Sequence, residues 1–239
     1  MPIYDFANQR VVLNALERLP VRTGTLRAIG GFLNTFAIEC FMDELAQAAA
    51  VDPVELRLGH LSDQRAIAVI RMARERSGLA SRSRRDGTRG MGLGFARYSN
   101  EAAYAAVVVE VEAGETIRVV RAVAAVDCGR TINPDGVKNQ IEGGIVQAVS
   151  WVVKEQVRFD RTRITTRTWD DYPILRFSEA PAVEVFIIDR PDEPSLGVGE
   201  AVAGPLAAAI ANAVSDAIGV RVRDLPLTRE RMLAAINDA

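Results

Sequence analysis

Residues 103–126 decide the architecture: Ala103-Tyr104-Ala105-Ala106-Val107-Val108-Val109-Glu110-Val111 on one side, Thr116-Ile117-Arg118-Val119-Val120-Arg121-Ala122-Val123-Ala124-Ala125-Val126 on the other, with Ala113-Gly114-Glu115 between them. Both runs are rich in Val, Ile and Tyr, which suit a pleated, half-buried surface, and the short link reads as a β-hairpin. Downstream, a helix is expected over 137–153. Further strands are expected at 156–159, 163–168 and 183–188. Gly204-Pro205 opens an Ala-rich helix that runs to Ile218. Proline suits its first turn and Gly219 its left-handed terminator. Thr228 caps a short final helix through Met232 to Ile236.

Upstream of the hairpin the texture is helical after an extended start. Asn34 or Thr35 is expected to cap a helix over 36–46, whose Ile38, Phe41, Met42 and Leu45 recur at helical spacing. Asp52-Pro53 reads as a cap followed by proline at the first helical position, and Ser62-Asp63 starts a helix ending near Gly78. Residues 80–90 are polar and basic with no periodicity, so they read as a linker. The expected organisation is an extended and helical segment over 1–79, the linker, and an α+β domain over 91–239. The fold class is α+β, a hairpin-rich mixed sheet with helices packed on it.

Composition narrows the function classes. The 239 residues are 49% hydrophobic and 25% charged, enough apolar material for a sizeable core. With 29 Lys+Arg against 31 Asp+Glu, no bulk attraction to nucleic acid or to a membrane surface is expected. Two cysteines, Cys40 and Cys128, exclude a disulfide scaffold and a Cys-based zinc site, and the lone His60 has no triad around it. Without a signal-like N-terminus or a span-length apolar run, the chain reads as cytoplasmic.

Four glycine-containing segments are candidates for chemistry. Gly90-Met91-Gly92-Leu93-Gly94 imitates a nucleotide loop but precedes a strand, so it reads as a tight lead-in to the hairpin. Asp127-Cys128-Gly129-Arg130-Thr131-Ile132-Asn133-Pro134 ends a strand in turn formers. It is followed by Gln140-Ile141-Glu142-Gly143-Gly144-Ile145-Val146-Gln147 at a helix start, where free N–H groups and glycines make a candidate phosphate or cofactor contact; periodicity alone reads it as a tightly packed helix. Gly197-Val198-Gly199-Glu200 places a carboxylate just before a helix. The helix dipole favours its ionised form while burial opposes it, which suits a general base; a helix-capping role fits the spacing equally.

In their order along the chain these segments resemble the molybdopterin-binding large subunit of the xanthine dehydrogenase/aldehyde oxidase family, and within it the isoquinoline 1-oxidoreductase β-subunit type. The resemblance also rests on Arg27-Ala28-Ile29-Gly30-Gly31, on residues 36–46, on Asp52-Pro53-Val54-Glu55-Leu56-Arg57 and on Asp171-Tyr172-Pro173. It implies the fold of a molybdenum-cofactor-binding domain and hydroxylation of an N-heterocycle or aldehyde with oxygen from water.

Site roles follow from the same resemblance. Glu200 matches the catalytic glutamate. Gln140 matches a pterin-binding glutamine, with Gly143, Gly144 and Gly199 lying against the cofactor and Arg27 near the metal centre. Ile29 falls in the substrate pocket where xanthine oxidases carry a stacking phenylalanine, so a non-purine substrate is implied. No protein side chain ligates the metal directly. The implied cofactor is molybdenum-molybdopterin, in its plain or cytosine dinucleotide form. Large subunits of this kind are much longer and carry cofactor segments that this chain lacks. The implied partners are therefore a complementary large-subunit fragment, an iron–sulfur subunit holding the iron–sulfur clusters, and a small-molecule substrate. The alternative is a non-catalytic remnant or assembly module that keeps the fold without binding cofactor alone.

Overall fold

A computed structural model describes residues 2–81 and 87–238. Four strands form one sheet in the order β1 (Arg89–Arg97), β2 (Tyr104–Ala113), β3 (Ile117–Asp127) and β4 (Ala182–Ile188). β1–β2 and β2–β3 are antiparallel, and β4 joins β3 in parallel, making the sheet mixed. Six helices accompany it among the described residues: α1 (Ile29–Ala49), α2 (Pro53–Gly59), α3 (Gln64–Ser77), α4 (Pro134–Val153), α5 (Ala203–Ile218) and α6 (Arg229–Asn237).

The sheet is covered on both faces. Ala105, Val107, Val109 and Val111 of β2 join the core with α4 and α5, while Tyr104, Ala106 and Val108 face Val69, Ile70 and Ala73 of α3. A strand covered twice has no polar face, which is why residues 107–109 are all valine. Each buried valine stabilises the fold by about 1.5–3 kcal/mol relative to exposure. Among the described residues no helix is long and apolar enough to cross a membrane.

The hairpin, β4, the Asp52 and Asp63 caps, the Gly219 terminator and the Thr228 cap all lie where the sequence predicts them. Other expectations are corrected. Gly90, Gly92 and Gly94 are the body of β1, not a lead-in turn. Their missing side chains let the strand lie on α5: a Cβ at Gly90 would sit 2.0 Å from the Ala213 carbonyl oxygen, at Gly92 2.3 Å from that of Ala209, and at Gly94 2.0 Å from that of Pro205. Two strand residues advance about 6.6 Å and four helical residues about 6 Å, so alternate glycines meet successive turns of the helix.

α1 begins at Ile29, well before Asn34 or Thr35, after a left-handed Ala28 and without a side-chain cap. Residues 156–168 form no strands, only an isolated bridge between Phe159 and Ile164. Of the linker, residues 82–86 lie outside the described residues.

Two buried polar clusters lock the helices to the sheet. Glu39 of α1 is 1% exposed and accepts from the Tyr4 hydroxyl (2.5 Å), Arg57 Nε (2.9 Å) and the Phe95 backbone N–H (3.0 Å). A buried carboxylate stripped of one partner is strongly destabilising, so this cluster fixes how α1, α2 and β1 meet. Asp127, at the end of β3, is fully buried. It accepts from Arg65 Nη2 (2.6 Å), the Gly129 N–H (3.0 Å) and Arg190 Nε.

Burial alone would raise the pKa of Asp127. The Arg65 hydrogen bond, the Gly129 N–H and Arg190 outweigh it and hold the carboxyl below its ordinary value. The unfolded chain therefore binds the proton more readily, and the stabilisation is fully present above about pH 4. It is lost as pH falls through the depressed value. Thermal midpoints measured from pH 5 downward are expected to decline below about pH 4, and more gently in Asp127→Asn, which starts lower at neutral pH. Parallel acid limbs in the two proteins would remove Asp127 as the cause.

Candidate functional site

Segments from both ends of the chain meet beside the middle of α4. Arg27 and Ala28 precede α1, Gly199 and Glu200 precede α5, and the two pairs run side by side. Arg27 Nε donates to the Gly199 carbonyl (2.5 Å), and the Ala28 N–H donates to Glu200 Oε1 (2.7 Å). Arg27 Nη2 donates to both the backbone carbonyl and Oε1 of Gln140 (3.1 Å each), and Nη1 donates to Gln147 Oε1 (3.2 Å). Arginine only donates, so the atom each glutamine turns toward it is its oxygen, and the Gln140 Nε2 group is directed elsewhere.

The structure brings Arg27, Gln140, Gly144, Gly199 and Glu200 together, but α4 begins earlier than the sequence reading has it. α4 starts at Pro134, capped by Asn133 Oδ1 accepting from the Gly136 N–H (2.9 Å). Gln140, Gly143 and Gly144 thus lie inside α4, where backbone N–H groups are already spent, and they offer side chains and bare backbone instead of a helix N-terminus. The two glycines differ. A Cβ on Gly144 would come within 2.6 Å of Val202 Cγ1, so that glycine admits the Glu200 turn against the helix. A Cβ on Gly143 or Gly197 would meet nothing within 4 Å, and one on Gly199 only Gln140 Oε1 at 3.6 Å.

Sequence reasoning gives no role to Gln147 and Ala28, which lie inside its motifs, or to Tyr98, which lies outside them. Gln147 was findable: it lies seven residues beyond Gln140, two turns along the same helical face. Tyr98 sits in the turn Tyr98–Asn100 after β1. Burial first, then its hydrogen bond to Glu200, holds its phenol above the ordinary value.

The turn into α1 is strained. Ala28 (φ 71°) and Ile29 (φ 45°) are both left-handed without being glycine, at a cost of about 1–2 kcal/mol each. Ile29 is 62% exposed and lines a cavity of about 490 Å³ together with Arg27, Phe32, Leu33, Trp151 and Tyr172. The Phe32 and Trp151 rings meet edge to face, 5.4 Å between centroids.

The molybdopterin cofactor-binding domain family matches residues 35–181. The chain belongs to that family. Among curated relatives, a nicotinate dehydrogenase subunit of Pseudomonas putida is 42% identical over 253 aligned positions, covering 99% of this chain and 21% of that protein. The isoquinoline 1-oxidoreductase β-chain of Brevundimonas diminuta is 36% identical, covering 95% of this chain and 29% of that protein. This chain of the molybdopterin cofactor-binding family therefore spans less than a third of the length of these relatives. The quinoline 2-oxidoreductase of Pseudomonas putida 86 shares the fold, with a TM-score of 0.78 at 16% identity over 89% of this chain and 53% of that one.

The site's own geometry fits the family's cofactor from one side. Gln140 turns its amide NH2 away from Arg27, with Gly199 beside its side chain and Gly143 one turn further along α4 facing open space. The acceptors of a pterin would meet a hydrogen-bond donor there.

Proposed function

We propose that this chain supplies one wall of the molybdenum-cofactor site of an oxidoreductase that hydroxylates an N-heterocycle or an aldehyde. The observation that carries this reading is the convergence of Arg27, Gln140, Gly199 and Glu200, with the bonds from residues 27 and 28 to residues 199 and 200 spanning 172 positions of sequence. When bound, the cofactor supplies the two-electron redox chemistry. Gln140 Nε2 donates to the pterin, and the bare edge of α4 at Gly143 lets the ring system approach. Glu200 would be the base: the Ala28 N–H donates to Oε1 and the Tyr98 hydroxyl donates to the same carboxylate, which together orient it to take the proton from the water-derived nucleophile. Ile29 stands at the mouth of the substrate pocket, and the apolar cavity behind it suits a flat ring or an alkyl tail better than a polar purine.

The remainder of the site would come from a complementary large-subunit fragment, and electrons would leave through an iron–sulfur subunit, because both cysteines here are buried singly. A cradle closed on one side leaves cofactor groups unpaired, so the chain alone is expected to retain little molybdenum. Metal analysis of the chain purified alone and co-expressed with the complementary fragment tests this. Stoichiometric molybdenum only in the complex supports the proposal. None in either preparation would leave the assembly-module reading in its place.

A further inference from the structure

We propose that Arg27 is a positioning residue that never touches the cofactor: it sets the donor polarity of Gln140 and, with Glu200, clamps the strained turn that carries Ile29. The proposal rests on the reading of Gln140 and Glu200 given above.

The guanidinium is committed to the protein itself. Nε is directed at the Gly199 carbonyl, Nη2 at both oxygens of Gln140, and Nη1 at Gln147 Oε1, which occupies four of its five N–H groups. Among the described residues no carboxylate lies within ion-pairing distance, so its work is done through directed hydrogen bonds and not through charge neutralisation.

Two consequences follow for the site. A glutamine amide that is free to flip presents either oxygen or nitrogen to a ligand. One whose oxygen is held by arginine presents only nitrogen, and so arrives at an acceptor already oriented. The backbone at Ala28 and Ile29 persists in the left-handed region only because neighbouring bonds over-determine it. Those bonds are the parallel pair from Arg27 Nε to Gly199 and from the Ala28 N–H to Glu200, together with the Ile29 N–H to the Leu26 carbonyl (3.0 Å). Arg27 thereby sets where Ile29 stands relative to the carboxylate of Glu200, so its loss also blurs the substrate pocket.

A double-mutant cycle in the cofactor-loaded complex separates positioning from contact. Arg27→Met and Gln140→Leu are each expected to lower the molybdenum retained per chain after dialysis about tenfold, as loss of an orienting outer partner does. The double variant should lose no more than either single one, because the two act through one amide. Losses that multiply, to about a hundredfold, would mean that Arg27 meets the cofactor independently and would overturn the proposal. Should Arg27→Met not fold, Arg27→Lys replaces it in the same cycle, since lysine can keep one of the four bonds.

A second arm needs no cofactor. In ¹⁵N spectra of the full chain alone, Arg27→Met should shift the side-chain amide signals of Gln140 and Gln147 together, while Arg27→Lys should move them less. Unchanged Gln140 and Gln147 signals would sink the clamp. Because this arm reads the amides directly, it still decides the role of Arg27 if the complex never loads molybdenum, an outcome that would instead reject the functional reading.

Discussion

Glu200→Gln in the assembled enzyme is expected to lower kcat by about 10²–10⁴-fold, the range a positioned general base contributes, while the molybdenum content stays at the wild-type level. Two donors hold the carboxylate, the Ala28 N–H at Oε1 and the Tyr98 hydroxyl. Glutamine keeps an oxygen at the Oε1 position, so the Ala28 N–H (2.7 Å) retains its acceptor and the turn into α1 keeps its shape. The variant loses the capacity to take up a proton and weakens the acceptor that the Tyr98 hydroxyl meets. An effect confined to KM would assign Glu200 to substrate binding, and undiminished turnover would remove it from the chemistry altogether. Glu200→Ala is the less informative change: it also frees the strained Ala28–Ile29 backbone and mixes a structural loss with a chemical one.

Gly92→Ala is expected to leave little native protein. Its Cβ would lie 2.3 Å from both the Ala209 carbonyl oxygen and the Ala213 nitrogen, all main-chain atoms of α5 that have no rotamer to change. Either the helix moves off the sheet along its length or the strand leaves its register. Overpacking typically costs about 1–3 kcal/mol when side chains can adjust. A clash with helix backbone that cannot adjust falls above that range, a large fraction of the roughly 5–15 kcal/mol that holds a domain folded. Gly114→Ala is the control, since a Cβ there meets nothing within 4 Å. Thermal unfolding of the two variants should show a large drop, or no soluble protein, for the first and a shift of no more than a few degrees for the second. A Gly92→Ala protein as stable as wild type would mean that β1 does not seat on α5 as described.

Much of the fold is legible from residues alone because the signals are local. The valine runs of β2 and β3, the aspartate caps at Asp52 and Asp63, and the left-handed Gly219 each depend on a few neighbouring positions. The errors arise where the deciding partner is distant. Glycines at alternate positions read as a turn because nothing near them reveals that the Ala-rich stretch after residue 203 will lie against them. α1 starts at Ile29 because the turn before it is tied to residues 199 and 200, so a search for a Ser, Thr or Asn cap stops at Asn34 and Thr35, inside the helix. The candidate site is reached through the order of several short motifs, not through any one of them. Its orienting bonds, from Arg27 to Gln140 and Gln147, have no signature in sequence beyond the two-turn spacing of the glutamines.

The pairing of residues 27 and 28 with residues 199 and 200 also has a consequence for biosynthesis. Closing a loop of that length is slow compared with forming the β2–β3 hairpin, whose strands are adjacent in the chain, so the central sheet can form first and the 27–200 clamp late. A ribosome-bound chain that has not yet released residue 200 has no clamp to close, however well its sheet is formed. The corner formed by Arg27, Ala28, Gly199 and Glu200 is therefore completed only once residue 200 has left the ribosome.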